Sequence, residues 1–329
     1  MKRVLVLGGG GFIGGHLVAR LMSQGHWVRS ADLKRHEYGI QSSEFMQGDL
    51  ADLSFCERVL HTNDAWNFDE VYQLAADMGG AGYIFTGDND AHVMQNSASI
   101  NLNVLRLLTR NKTEKLPKVF YSSSACIYPE EIQLDPNNPG LCETDAYPAN
   151  PDSEYGWEKL FSERLFASYA RNYGMPVRIA RFHNIYGPLG TWNGGREKAP
   201  AAICRKVALA EDQGEIEIWG DGLQTRSFLY ISDCLDAIQK LMDSDYSQPI
   251  NIGSEEMVSI NQLVEVTSTI ANKEISIRHI PGPLGVRGRN SNNELIRRIL
   301  NWDNKISLKS GIEQTYDWIN AQIRTTKQR

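Results

Sequence analysis

Short apolar runs alternate with longer segments of helical period through the first half of the chain. The runs RVLVLG (3–8), WVRSAD (27–32), EFMQGD (44–49), DEVYQLAA (69–76) and KVFYSSS (118–124) read as strands. Between the first two, apolar residues recur at helical spacing from Phe12 to Gln24. The segment 154–174, EYGWEKLFSERLFASYARNYG, is the clearest helix, with Gly174 as its stop, and MPVRIARF (175–182) is the next strand. Such strand–helix alternation predicts an α/β fold, a doubly wound parallel sheet with helices on both faces.

The rhythm changes after Phe182. Residues 183–200, HNIYGPLGTWNGGREKAP, are rich in Gly and Pro and precede a shorter helix. Then come EIEIWGDGLQTRSFLYIS (215–232), a helical stretch from Asp233 to Leu241, and a short strand in PINIGS (249–254). The expected division is a Rossmann-type domain over 1–182, with segments of about 226–252 returning to it. A smaller, mixed α/β substrate-binding lobe would take 183–225 and 253–329.

Composition narrows the function. The 329 residues are 41% hydrophobic and 22% charged, with a formal net charge of -6, which argues against a nucleic-acid partner. Cys56, Cys126, Cys142, Cys204 and Cys234 are scattered and include no C-x-x-C pair, so neither a disulfide framework nor a metal site is signalled. A reducing cytoplasm is expected. Two basic residues precede an apolar run, as in a signal peptide, but that run, Val4–Leu7, is too short for one, and no segment has the length and apolarity of a membrane span.

The first strand runs directly into glycines. Gly8, Gly11 and Gly14 form G-x-x-G-x-x-G at the opening of a helix, where backbone amides and the helix dipole favour a pyrophosphate. Gly8, Gly11, Phe12, Ile13 and Gly14 are therefore candidate dinucleotide contacts. Alone, such a run is as often a structural turn. Asp32 strengthens the case: it closes the second strand about 20 residues on, where a carboxylate binds ribose hydroxyls and repels a 2′-phosphate. NAD is the expected cofactor, although Lys34 and Arg35 are near enough to weaken the preference over NADP. Asp49 is an adenine contact or a turn residue.

Tyr155 and Lys159 stand at i and i+4 on the clearest helix. A tyrosine with a pKa of about 10 is a poor base until an ammonium stabilises its phenolate. Ser124, ending an earlier strand, can bond the same substrate oxygen. Chance alone often places Tyr and Lys so; behind a dinucleotide motif the three read as a hydride-transfer site.

On these residues, with Leu74-Ala75-Ala76 and Asn184 in NIYGP, the chain resembles the extended short-chain dehydrogenase/reductases that act on nucleotide sugars. The resemblance spans essentially the whole chain. It implies NAD contacts at Leu74, Ala75 and Ala76, a homodimer, and a nucleotide sugar as the small-molecule partner. The blocks LAADMGG, SSACIYP, GTWNGGREKAPAA and HIPGPLGVRGRNS are similar to those of members that epimerise a GDP-sugar at two ring carbons. Leu7 departs from the wider family, which often has Thr there.

The family comparison also gives Cys126 a meaning. Related 4,6-dehydratases carry T-D-E in this segment and 4-epimerases tend to S-A-T, whereas this chain has Ser124-Ala125-Cys126. A thiol near a cation could remove a proton made acidic by a neighbouring C4 ketone. The resemblance makes Cys126 the base and Lys198 the opposing acid. Outside these motifs, a buried core thiol and a solvated lysine would be the ordinary readings. The same resemblance implies sugar contacts at Gly79 and Gly80 and diphosphate contacts at Asn184, Lys206, Arg226 and Arg287, with Trp219 near the guanine or ribose. His183 reads as structural. A one-carbon epimerase, another nucleotide sugar and a non-catalytic NAD-binding sensor remain as alternatives.

Overall fold

The computed structural model describes residues 1–61, 68–110, 115–282 and 285–327. Residues 283–284, within the block HIPGPLGVRGRNS, lie outside them. The first part runs β1 (Arg3–Leu7), α1 (Phe12–Ser23), β2 (Trp27–Asp32), β3 (Glu44–Gln47), α2 (Leu53–Leu60), β4 (Glu70–Gln73), α3 (Ala81–Ile84), α4 (Asp90–Leu108), β5 (Lys118–Ser124), α5 (Glu154–Tyr173) and β6 (Val177–Phe182). There follow β7 (Ile185–Tyr186), α6 (Ala199–Leu209), β8 (Glu215–Trp219), β9 (Thr225–Ser227), β10 (Leu229–Tyr230), α7 (Ile231–Asp243) and β11 (Ile250–Ile252). The chain ends with β12 (Met257–Ser259), α8 (Ile260–Ala271), β13 (Ser276–Ile280), β14 (Gly288–Arg289), α9 (Glu294–Leu300) and α10 (Leu308–Lys327).

Among the described residues the main sheet has seven strands, in the order β11-β6-β5-β4-β1-β2-β3, and every neighbouring pair is parallel. Side chains alternate across a strand, so β1 serves two cores at once. Val4 and Val6 pack with Leu17 and Val18 of α1 and with Ile238 and Leu241 of α7. Leu5 and Leu7 pack on the opposite face with Phe55 and Val59 of α2, Val104 of α4 and Phe166 of α5. Burial on both faces is why these strands are continuously apolar rather than alternating.

Two buried polar networks fix α5 against the sheet. Gln73 Nε2 at the end of β4 donates to Asn101 Oδ1 at 2.7 Å, and Asn101 Nδ2 donates to Ser162 Oγ at 2.9 Å and Glu158 Oε1 at 3.1 Å. Glu163 accepts from Ser123 Oγ at 2.5 Å and from Arg181 at 2.9 and 2.8 Å. The Glu163–Arg181 pair is almost fully buried and bidentate, a geometry that joins β5, α5 and β6 rigidly. Smaller sheets complete the fold: β12-β9-β14, β13-β8 and β10-β7. No described helix is long and apolar enough to cross a membrane.

Candidate active site

The strands β1, β2, β4 and β5 end on one side of the sheet, and the residues singled out in the sequence follow those ends. Gly8 follows β1 with φ +88°, and a Cβ there would stand 2.8 Å from the Ala75 amide nitrogen. A Cβ at Gly14 would meet the Gly8 carbonyl oxygen at 2.0 Å. No side chain can be accommodated at either place. The helix cap Gly11 has no capping side chain, so the first-turn amides of α1 point outward without a side-chain partner. This is a cradle suited to a pyrophosphate.

Phe12 and Ile13 begin α1, and Phe12 packs its ring edge-to-face with His16. Asp32 ends β2, where Oδ2 accepts from Gly10 N at 3.0 Å and Oδ1 from Lys34 N at 3.2 Å. Desolvation raises the Asp32 pKa while those amides oppose the rise. Leu74 N donates to Leu7 O at 3.0 Å. Ala75 N donates to Gln73 Oε1 at 3.3 Å, and the half-buried Ala76 continues this segment beside the glycines. Asp49 Oδ1 accepts from Ala51 N at 2.8 Å, as in a turn.

Ser124, Cys126, Tyr155 and Lys159, candidates for the chemistry, meet at the start of α5. Ser124 caps the short turn after β5, its Oγ accepting from Cys126 N at 3.2 Å, and its hydroxyl opposes the rise of the Tyr155 pKa. Tyr155 is buried, and desolvation raises its pKa. Lys159 donates from Nζ to Ser122 O at 2.9 Å, with the ammonium 5.6 Å from the Tyr155 ring centroid. Burial lowers the Lys159 pKa. The first turn of α5 packs so closely that a Cβ at Gly156 would lie 2.2 Å from the Cys126 carbonyl oxygen.

Lys198 is the N-cap of α6, on a loop fastened at several points. Arg205 bonds Glu197 Oε1 at 2.7 Å and Trp192 O at 3.0 Å. Arg196 stacks over the Tyr83 ring at 4.4 Å, and a Cβ at Gly80 would stand 2.7 Å from Glu197 O. Neighbouring Gly79 abuts Tyr83. Dense surrounding protein lowers the Lys198 pKa, while the charge of Cys126 raises it. The side chain is nevertheless exposed at the start of α6, so water offsets part of that lowering.

The other candidate substrate residues are spread more widely. Asn184 holds φ 45° and donates from Nδ2 to Ser227 O at 2.9 Å. Arg226 donates to Thr225 O and Val286 O, each at 2.7 Å; desolvation lowers its pKa, and Arg289 adds to the effect. Two guanidiniums so placed favour an anion between or beside them. Lys206 Nζ is engaged with Glu217 O at 2.5 Å. Trp219 is 41% exposed and lies against the Gly282 backbone. Arg287 forms a two-pronged pair with the exposed Asp221 at 2.9 and 3.0 Å. His183 is fully buried, with Nε2 3.1 Å from Asn251 Oδ1.

Arg289 was not among the sequence candidates, yet it reaches the Cys126 thiol. Its Nη1 donates to Cys126 Sγ at 3.0 Å, its Nη2 to Asp152 Oδ2 at 2.7 Å and its Nε to Gln133 Oε1 at 2.6 Å. These partners lie 163, 137 and 156 residues away in sequence, so no local pattern separates Arg289 from Arg287.

This fold and its glycine cradle define a dinucleotide-binding enzyme, and the pattern of the NAD dependent epimerase/dehydratase family matches residues 4–253. The chain belongs to that family, and NAD is its cofactor. Among curated proteins it is 46% identical to GDP-mannose 3,5-epimerase 1 of Oryza sativa subsp. indica, over 99% of this chain and 83% of the relative. It is 45% identical to GDP-mannose 3,5-epimerase of Arabidopsis thaliana, over 99% of this chain and 84% of that protein. Among solved structures, UDP-glucose 4-epimerase from Thermotoga maritima superposes with a TM-score of 0.84 at 24% identity, covering 98% of this chain and 99% of the other. That likeness is one of fold.

Proposed function

We propose that the chain epimerises GDP-D-mannose at C3 and C5 to GDP-L-galactose, with GDP-L-gulose formed when C5 alone is inverted. The observation that carries this reading is Cys126, beside Tyr155 and Arg289 and within electrostatic reach of Lys198. In the proposal, Tyr155, assisted by Ser124 and Lys159, takes the proton from the C4 hydroxyl. NAD, when bound in the glycine cradle, supplies the oxidant for C4 and afterwards the hydride that restores it. The C4 carbonyl acidifies the C–H bonds at C5 and C3. At each carbon the Cys126 thiolate removes the proton and Lys198 delivers one to the opposite face of the ring. Exchange with solvent then returns the thiol to thiolate and the amine to ammonium before the next inversion. The proton at C4 oxygen finally returns from Tyr155, so the reaction is a balanced isomerisation.

Gly8, Gly11, Phe12, Ile13, Gly14, Asp32, Asp49 and Leu74–Ala76 are assigned to NAD. Gly79 and Gly80 face the sugar in this reading, and Asn184, Lys206, Arg226 and Arg287 serve the nucleotide diphosphate. Trp219, with its ring exposed, is assigned to the guanosine. Asn184, Lys206, Trp219 and Arg287 belong to a substrate lobe of 183–225 and 253–329, while Gly79, Gly80 and Arg226 reach the sugar nucleotide from the Rossmann-type domain. A homodimer would cover Trp157 and Phe161, exposed one turn apart on α5. Cys56, Cys126, Cys142, Cys204 and Cys234 are free thiols, which suits a reducing cytoplasm.

The test is incubation with GDP-mannose and assignment of the product sugar by NMR. Signals of the L-galacto and L-gulo isomers support the proposal. Unchanged GDP-mannose with NAD demonstrably bound refutes the substrate assignment.

A further inference from the structure

Arg289 is held with little freedom. Gln133 is fully buried, and its Nε2 donates to both Tyr128 O and Pro129 O at 3.0 Å. Those two carbonyls require the amide nitrogen on their side, so Gln133 Oε1 must face Arg289 Nε. Asp152, with a side chain 4% exposed, accepts from Arg289 Nη2 and from Ser153 Oγ at 3.2 Å. Ser153 is itself the N-cap of α5. The guanidinium plane is thus anchored at two edges, once to the turn after β5 and once to the start of the helix bearing Tyr155 and Lys159. The remaining edge points at Cys126 Sγ. Arginine has donors alone, so the sulfur must accept, and a thiolate accepts far better than a thiol.

We propose that Asp152 and Gln133 are positioning residues that align Arg289 on Cys126 and so poise its sulfur as the base. The inference rests on the role given to Cys126 above. Other charged or titratable groups that sense the same thiol are Tyr155 and Lys159 of α5, Lys198 ahead of α6 and Arg226 of β9. Neither positioning residue touches the sulfur, so each acts through Arg289.

The sign of one measurement separates positioning from a plain field effect. An anion near a thiol opposes its ionisation, so removing the Asp152 charge without moving Arg289 would favour thiolate. Removing the carboxylate that aligns Arg289 does the reverse. The full-length protein is alkylated with iodoacetamide across a pH series, and the Cys126 peptide is quantified by mass spectrometry. For Asp152→Ala the half-maximal pH should move upward by about one unit, a roughly ten-fold slower alkylation near neutrality. Asp152→Glu should recover part of that loss. Gln133→Met exchanges one neutral side chain for another and should also move the midpoint upward, which keeps the test open if Asp152→Ala does not fold. With Arg289→Gln already in place, Asp152→Ala should raise the midpoint no further, because only its field effect, which favours thiolate, is left. A midpoint that falls or stays fixed in folded Asp152→Ala or Gln133→Met, or that rises further in the double variant, overturns the proposal. Alkylation needs no sugar nucleotide, so this result and the substrate assignment stand or fall separately.

Discussion

The ammonium of Lys159 is pinned to the main-chain carbonyl of Ser122 at 2.9 Å, which leaves it beside the Tyr155 ring. The helix spacing brings the two residues to one face, and the strand-end carbonyl sets the distance. Replacing Lys159 with Met keeps most of the volume and removes the charge. Turnover should fall by roughly 10²–10⁴-fold, the usual span for a lost acid–base contribution. Steady-state kinetics beside NAD titration checks this; near-normal turnover would remove Lys159 from the chemistry.

Gly156 carries a second prediction. With 2.2 Å between an added Cβ and the Cys126 carbonyl oxygen, Gly156→Ala must push α5 away from the turn that holds the thiol. Turnover should drop at least ten-fold while the far-ultraviolet circular dichroism stays native, because a misplacement near 1 Å is enough to cost rate without unfolding a helix.

The dinucleotide cradle was legible because its signals are local: a strand, glycines, a helix and an acid fall in order within the first 32 residues. Tyr155 and Lys159 were legible for the same reason. The stretch 215–232 was not resolved by its pattern. It divides into β8, β9 and β10, with Gly220 and Gly222 both at φ +68° between the first two. The pairing of β9 with β12 and β14 comes from register across distant segments. Arg289 escaped notice on similar grounds: its three partners are brought in by tertiary structure, whereas Arg287, two residues earlier, turns to Asp221.

Gly14→Ala should abolish NAD binding or the native fold around it, since the added methyl would meet the Gly8 carbonyl at 2.0 Å. Fluorescence quenching by added NAD reads the loss. Gly25→Ala, at a surface turn with open space around its Cβ position, is the control and should bind NAD normally despite its φ of +78°.

His183 predicts a stability profile. Desolvation depresses its pKa to about 3, aided by Arg289 and Arg181, against an ordinary value of 6.5 in the unfolded chain. The unfolded state therefore binds the extra proton between those values, and stability falls as pH is lowered through 6.5 toward 3. At pH 5 this histidine alone costs about 2 kcal/mol relative to neutral pH. In His183→Gln the loss of unfolding free energy between pH 7 and pH 5 should shrink by about that amount. Denaturant titrations at the two pH values give the comparison.

The most direct test of the central claim follows solvent hydrogen into the sugar. The protein is incubated with GDP-mannose in deuterated water, and label is located by NMR. Deuterium at C5 and C3, with none at C4, is the predicted result: carbon-bound protons exchange at the acidified positions while the C4 hydride is kept and returned. Cys126→Ala should lose both labels. Epimerised product without solvent label at C5, or label retained at the parent rate in Cys126→Ala, would contradict the account.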